Sequence, residues 1–169
     1  MMHSLRASDC GGGESILVDG FKAAENLRSR NRESFDLLCQ IPIPHRRFLV
    51  DEVDDVALSA MWRVIELNYH GDISAVHINE RTMAPLDIEE SLTEPVYQAL
   101  QEMLALVYAP EACVKYRLES GQAAVLDNHR VLHARAAFKG NRHIRQCHVD
   151  RDEFFSRLRT LRRRLGAAT

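Results

Sequence analysis

The sequence predicts a mainly β protein with packed helices, arranged as a β-sandwich or jelly roll. Three observations predict it. Short β-rich runs recur along the chain, bounded by Gly, Pro, Asn and Asp. Helical periodicity is confined to a few stretches, and strands and helices do not alternate as a doubly wound sheet requires. At 169 residues, 46% of them hydrophobic, the chain is long enough for one domain (1–169) with a sizeable core.

The elements follow in order. "ESILVDGF" (Glu14–Phe21) alternates Ile16 and Val18 and reads as a strand running into a turn at Gly20. Phe21–Asn31 and Glu33–Cys39 have helical composition with a break near Asn31. The prolines of "IPIPH" end that region and favour extended chain. "RRFLV" (Arg46–Val50) reads as a short strand before an acidic loop, "DEVDD". Met61–Asn79 then reads as a hairpin turning at "HGD".

The clearest helix is Ser91–Ala109, with Leu92, Val96, Leu100, Met103 and Val107 on one stripe. Ser91 and Glu94 are spaced as a capping box. Strands are expected at Cys113–Leu118, at Gln122–Leu126 continuing through Arg130–Arg135, and at His143–Val149. A terminal helix carries Phe154, Leu158, Leu161 and Leu165, with Asp150 or Asp152 as its cap and arginines crowding its end.

Composition narrows the function classes. A formal net charge of -2 gives no general pull toward nucleic acid or a membrane surface. The terminal arginines suit a helix C-terminus, and no aromatic residues interleave with them as in a nucleic-acid patch. No apolar run approaches the roughly 20 residues of a spanning helix, and the N-terminal stretch lacks a signal-peptide core. Cys10, Cys39, Cys113 and Cys147 are scattered and form no CxxC pair, which reads as reduced thiols in a cytosol-like compartment.

"VLDNHRVLHARAAFKGNRHIRQCHVD" (Val125–Asp150) stands apart, with four histidines and four arginines among short apolar runs. Alternation places Val131 and His133 on one face, expected to point inward. A histidine so placed is either a hydrogen-bonded core residue or a metal ligand. Arg142 follows nine positions later across a Gly140 turn, where an adjacent antiparallel strand would set a guanidinium beside the imidazole. Arginine is suited to gripping a carboxylate with two parallel hydrogen bonds.

These residues resemble the C-terminal signature of the gamma-butyrobetaine and trimethyllysine dioxygenase group, within the TauD-like iron- and 2-oxoglutarate-dependent dioxygenases. "GGESILVDGF" is similar to that group's Gly-Gly-acidic-Ser/Thr strand, and "VHIN" (Val76–Asn79) to its substrate-side strand. The resemblance implies a double-stranded β-helix (jelly roll), incomplete at the N-terminus. It implies Fe(II) as metal, 2-oxoglutarate as cosubstrate and a small molecule as substrate, gamma-butyrobetaine or trimethyllysine first. By position, His133 matches an iron-binding histidine and Arg142 the arginine that pairs with the 2-oxoglutarate carboxylate. Ser15 matches a hydroxyl residue near that carboxylate, while Asn79 and His148 match substrate-side positions. Asp127, Asn128 and Arg130 would order the strand that carries His133. No nucleic-acid or membrane partner is expected and a homodimer is left open. The expected compartment is the cytoplasm, with the mitochondrion left open because relatives occur in both.

The group takes its other two iron ligands from a His-x-Asp motif upstream of the Gly-Gly strand. Eleven residues precede Gly12 and none reads His-x-Asp, although His3 resembles a position in the strand that follows that motif. His148-Val149-Asp150 has the spacing but falls after His133, so pocket lining and helix capping are the expected roles. Gln146 stands where a glycine is common in the group, and His148 where a tyrosine is, which bears on trimethylammonium specificity. The expectation is the C-terminal portion of a dioxygenase, inactive alone because two iron ligands are missing. The alternatives are a catalytically dead fragment, a small-molecule- or protein-binding module with the same roll, and an unrelated β-sandwich interaction domain.

Overall fold

The structure is a computed structural model that describes residues 1–9, 11–49 and 56–166. Cys10, the end of the expected "RRFLV" strand at Val50 and the acidic "DEVDD" loop lie outside the described residues. The chain divides into two compact units, Gly13–Arg117 with Asp127–Ala137, and Met1–Gly12 with Leu118–Leu126 and Phe138–Thr169.

The larger unit begins with β2 (Ser15–Asp19), following β1 (Met2–Arg6) of the smaller one. Gly20 opens α1 (Gly20–Arg30) directly instead of making a separate turn, because the Asp19 side chain caps it by accepting from the Phe21 and Lys22 amides. Asn31 ends α1 and caps α2 (Arg32–Gln40) by accepting from the Ser34 amide at 3.1 Å, so the expected break falls there. Ala23, Ala24 and Leu27 of α1 and Phe35 and Leu38 of α2 are buried against α3 (Glu90–Val107) and the strands.

The core face of α3 carries Val96, Leu100, Met103 and Val107 as its periodicity predicts, with Ala99 and Leu106 beside them. Its start differs from expectation. The cap position is Glu89, the Leu92 amide bonds the Glu89 carbonyl at 3.0 Å, and Ser91 therefore lies within the first turn. There the Ser91 hydroxyl donates to the Glu89 carboxylate at 2.6 Å, while Glu94 accepts from Gln98 at 3.0 Å, so no capping box forms.

The extended chain that the prolines favour is a strand from its first proline: β3 (Pro42–Leu49) pairs along its length with β4 (Val56–Arg63). The hairpin read over Met61–Asn79 is accordingly shorter. Met61–Arg63 completes β4, and only β5 (Ile65–Leu67) and β6 (Ile73–Val76) form the turn-linked pair. β7 (Cys113–Tyr116) and β9 (Val131–Arg135) flank β2 on either side in an antiparallel sheet.

In the smaller unit β1 lies between β8 (Ala123–Ala124) and β10 (His143–Gln146). The chain expected to run as one strand from Gln122 through Arg135 is interrupted at residues 125–130, so β8 and β9 belong to different sheets. α4 (Arg151–Arg164) has Asp150 at its cap position, without a side-chain capping hydrogen bond. The described strands make two three-stranded and two two-stranded sheets and no closed barrel, so the architecture is mixed helix and strand. Cys39, Cys113 and Cys147 are free thiols, and burial pushes the pKa of Cys39 up to about 11. Among the described residues no helix is long and apolar enough to cross a membrane.

Candidate active site

The pairing of β2 with its neighbours decides which side chains share a face. Val18 lies between Cys113 and Leu132, and this row packs on the hydrophobic core. The opposite face carries Leu17 between Val114 and His133, and Ser15 between Tyr116 and Arg135. His133 is therefore exposed on the face away from the core, not inward as alternation with Val131 suggested. The reason is that Leu132, the larger apolar neighbour, takes the core position and carries His133 to the other side. Ser15 is 3% exposed and shares the His133 face, and the Tyr116 hydroxyl is buried without a hydrogen-bond partner.

The turn before His133 is held by side chains the sequence singled out. The Asp127 carboxylate accepts from the His129 amide at 3.1 Å, and its carbonyl accepts from the Arg130 and Val131 amides at 3.1 and 2.8 Å. Arg130 grips Asp19 across the sheet, Nε at 3.1 and 3.2 Å and Nη2 at 2.6 Å. Asp19 thus caps α1 and anchors the start of β9 together, and the Arg130 guanidinium holds its carboxyl below the usual carboxylate range against the opposing effect of burial.

Asp19→Ala is expected to cost about 1 kcal/mol for the lost cap. The ion pair adds little to this, since both side chains are roughly half exposed and water screens their charges. A carboxyl with a lowered folded pKa contributes fully above its ordinary 3.8 and loses that contribution as pH falls further. Urea unfolding across that acid range checks this: the wild-type stability should decline toward that of Asp19→Asn, and a constant gap between the two would contradict it.

The other expected site residues lie as follows. Asn79 is exposed and sits after the end of β6, where its carbonyl accepts from the Thr82 and Met83 amides at 3.0 and 3.1 Å; "VHIN" is strand only as far as Val76. Arg142 is half-buried just before β10, its guanidinium 6.0 Å from the Phe138 ring centroid. His148 is exposed beyond β10. Ser15, His133 and Asn79 belong to the larger unit, Arg142 and His148 to the smaller. The expectation that His133 and Arg142 stand on adjacent strands is corrected: β9 pairs with β2, and β10 with β1. The Met2–Arg6 strand, too short and mixed to show periodicity, takes the place beside β10.

A cluster that the sequence reading missed lies beside Asn79. The His77 ring stands 5.1 Å from Trp62 and 5.9 Å from His129, centroid to centroid, and its Nε2 is 3.3 Å from a Glu66 carboxylate oxygen. Burial first, and the nearby His129, lower the His77 pKa against the pull of Glu66. Burial and His77 lower that of His45, whose Nδ1 is 2.9 Å from the Thr82 hydroxyl. Nothing in the spacing of residues 45, 62, 66, 77 and 129 announces this meeting, which follows from strand register.

Among the described residues no group of three His, Cys, Asp or Glu side chains is placed to hold a metal ion. His133 supplies one imidazole where a facial iron site needs two histidines and a carboxylate, so the described residues do not fit that metal by themselves.

The model of the taurine catabolism dioxygenase TauD, TfdA family matches residues 1–148. The chain belongs to the TauD/TfdA dioxygenase family. Within this family it is 36% identical over 165 residues to the gamma-butyrobetaine dioxygenase of Pseudomonas sp. (strain AK-1), covering 96% of this chain and 42% of the relative. It is 32% identical over 152 residues to the trimethyllysine dioxygenase of Meyerozyma guilliermondii, covering 89% of this chain and 38% of the relative. The chain therefore spans less than half the length of these relatives. A taurine dioxygenase structure from Burkholderia xenovorans superposes with a TM-score of 0.61 at 14% identity, covering 85% of this chain and 48% of that one. An asparagine oxygenase in complex with Fe(II), 2S,3S-3-hydroxyasparagine and succinate superposes with a TM-score of 0.57 at 21% identity, covering 82% and 39%. These structures carry the TauD-like fold.

Proposed function

We propose that this chain forms the C-terminal part of an Fe(II)- and 2-oxoglutarate-dependent dioxygenase that hydroxylates a small substrate, gamma-butyrobetaine or trimethyllysine first. The observation that carries the reading is the 36% identity to a gamma-butyrobetaine dioxygenase across 96% of the chain. The shared face of Ser15 and His133 on one sheet supports it. In this reading the family's jelly roll is completed by chain beyond these residues. His133 is one iron ligand, Arg142 pairs with the 2-oxoglutarate carboxylate, and Ser15 contributes a hydroxyl there. Asn79 and His148 face the substrate.

Iron, when held, would supply the oxidation of an unactivated C–H bond. The described residues contribute orientation: Arg130 on Asp19 and the Asp127 turn fix the strand on which the imidazole stands. In this reading the other iron ligands come from outside the described residues. The compartment is cytoplasmic in this reading.

The test is succinate release from 2-oxoglutarate by a protein carrying upstream sequence, with gamma-butyrobetaine or trimethyllysine as substrate. Turnover that falls at least about a hundredfold on His133→Ala or Arg142→Ala is the expected result. No iron-dependent turnover with any substrate would defeat the enzyme reading, and turnover only with acids lacking a quaternary amine would defeat the substrate. Iron titration of the 169-residue chain should show no stoichiometric binding; tight binding through His133 would overturn its assignment as an incomplete site.

A further inference from the structure

We propose that His77 is a positioning residue whose neutral ring latches the chain leading to Asn79 onto the turn that launches the His133 strand, and that protonating the ring releases the latch. The inference concerns the fold of this chain and goes beyond the dioxygenase reading, since it can be tested without turnover.

The two segments are tied at the backbone and at the ring. The Val76 amide donates to the His129 carbonyl, and the His77 amide donates to the Val64 carbonyl, both at 2.8 Å. The His77 ring then meets Trp62 of β4 at an interplanar angle of 34° and the His129 ring edge-on at 65°. These ring contacts hold His77 between β4 and the turn that carries His129.

Its Nε2 is buried and lies 3.3 Å from a Glu66 carboxylate oxygen, with no well-aligned hydrogen bond to it among the described residues. His45 Nε2 is buried without a partner as well.

A proton on His77 changes this balance. The titratable groups facing it are Glu66 from β5, His129 from the turn and His45 from β3, while Trp62 contributes an uncharged ring. Glu66 would favour the imidazolium, but its side chain is 36% exposed and water screens its charge. Burial and His129 oppose the charge, and together they outweigh Glu66. The imidazolium is relieved by moving toward water, which breaks its edge contact with His129 and loosens the Val76–His129 tie. Acid therefore frees residues 127–130 before the core of the unit responds.

Hydrogen exchange and ring titration of the 169-residue chain by NMR test the latch. As pH falls below 6.5, the ordinary imidazole value from which that of His77 is lowered, the protection factor of the Val76 amide should fall about tenfold. That of the Tyr108 amide, bonded to the Leu104 carbonyl in α3, should hold steady. The fall should share its midpoint with the His77 ring. His77→Phe keeps an aromatic ring and removes the titration, so it should abolish the fall, whereas His45→Gln should not. An undiminished fall in His77→Phe would overturn the proposal. So would midpoints for Val76 and the His77 ring that differ by more than about one pH unit, a comparison that needs only the unsubstituted chain and holds even if a variant fails to fold.

Discussion

Phe35→Ala is expected to lower the stability of the larger unit by about 3–5 kcal/mol, the usual range for emptying a fully buried aromatic position. Phe35 is 0% exposed and lies in the cluster shared by α1, α2 and α3. Its loss also removes a ring over which the Arg28 guanidinium sits at 4.4 Å, with Arg32 at 5.7 Å. Arg28 in turn donates to the Gly71 carbonyl at 2.9 Å in the β5–β6 turn, so the cavity should loosen that turn too. Urea denaturation gives the magnitude. Phe35→Leu, which keeps most of the volume, should cost less than half as much, and equal costs would argue against a packing origin.

Gly20→Val carries the second large effect, and it reaches the candidate site. A Cβ at position 20 would lie 2.8 Å from the Arg130 carbonyl oxygen and 3.3 Å from both Leu132 and Val76. The same carbonyl accepts from the Gly20 amide at 2.8 Å, so the helix start and β9 cannot separate without losing that bond. Overpacking of this kind costs about 1–3 kcal/mol or more, with backbone displacement. The displaced backbone is the one that presents His133. Thermal unfolding and the chemical shifts of the His133 ring should both change, and in a protein carrying upstream sequence the iron-dependent turnover should fall as well. Native-like shifts at His133 in a folded Gly20→Val chain would contradict the close approach.

Much of this was legible locally. The α3 stripe, the Asn31 break and the strand at Ile16–Val18 were read correctly because each depends on near neighbours in sequence. The motif from Asp127 to Arg142 pointed to the family for a similar reason, since its order along the chain is the information. Misreadings arose where a choice between neighbours is settled by contacts from far away. Alternation allowed either Leu132 or Val131 with His133 to face the core, and the pairing of Leu132 with Val18 chose the first. Ser91 had the residue type of a cap, but the helix began one residue earlier, at Glu90. β10 had a plausible neighbour in β9, but Met2–Arg6 took the position.

By itself the sequence determined the family, the α3 helix with its core face and the break between α1 and α2 at Asn31; the apolar stripe read on the terminal helix is mostly exposed instead. The properties it determined are written in residue type and short spacing, where side-chain period and backbone preference act within a turn or two. Only the tertiary structure decided that Ser15 and His133 share the face of their sheet away from the core, that the strand after Arg142 pairs with β1 and not with the His133 strand, and that His77, His129, Trp62 and Glu66 meet. Such meetings follow from strand register between segments far apart in the chain. Register is chosen by which side chains bury best together, a sum over distant partners that no local stretch contains.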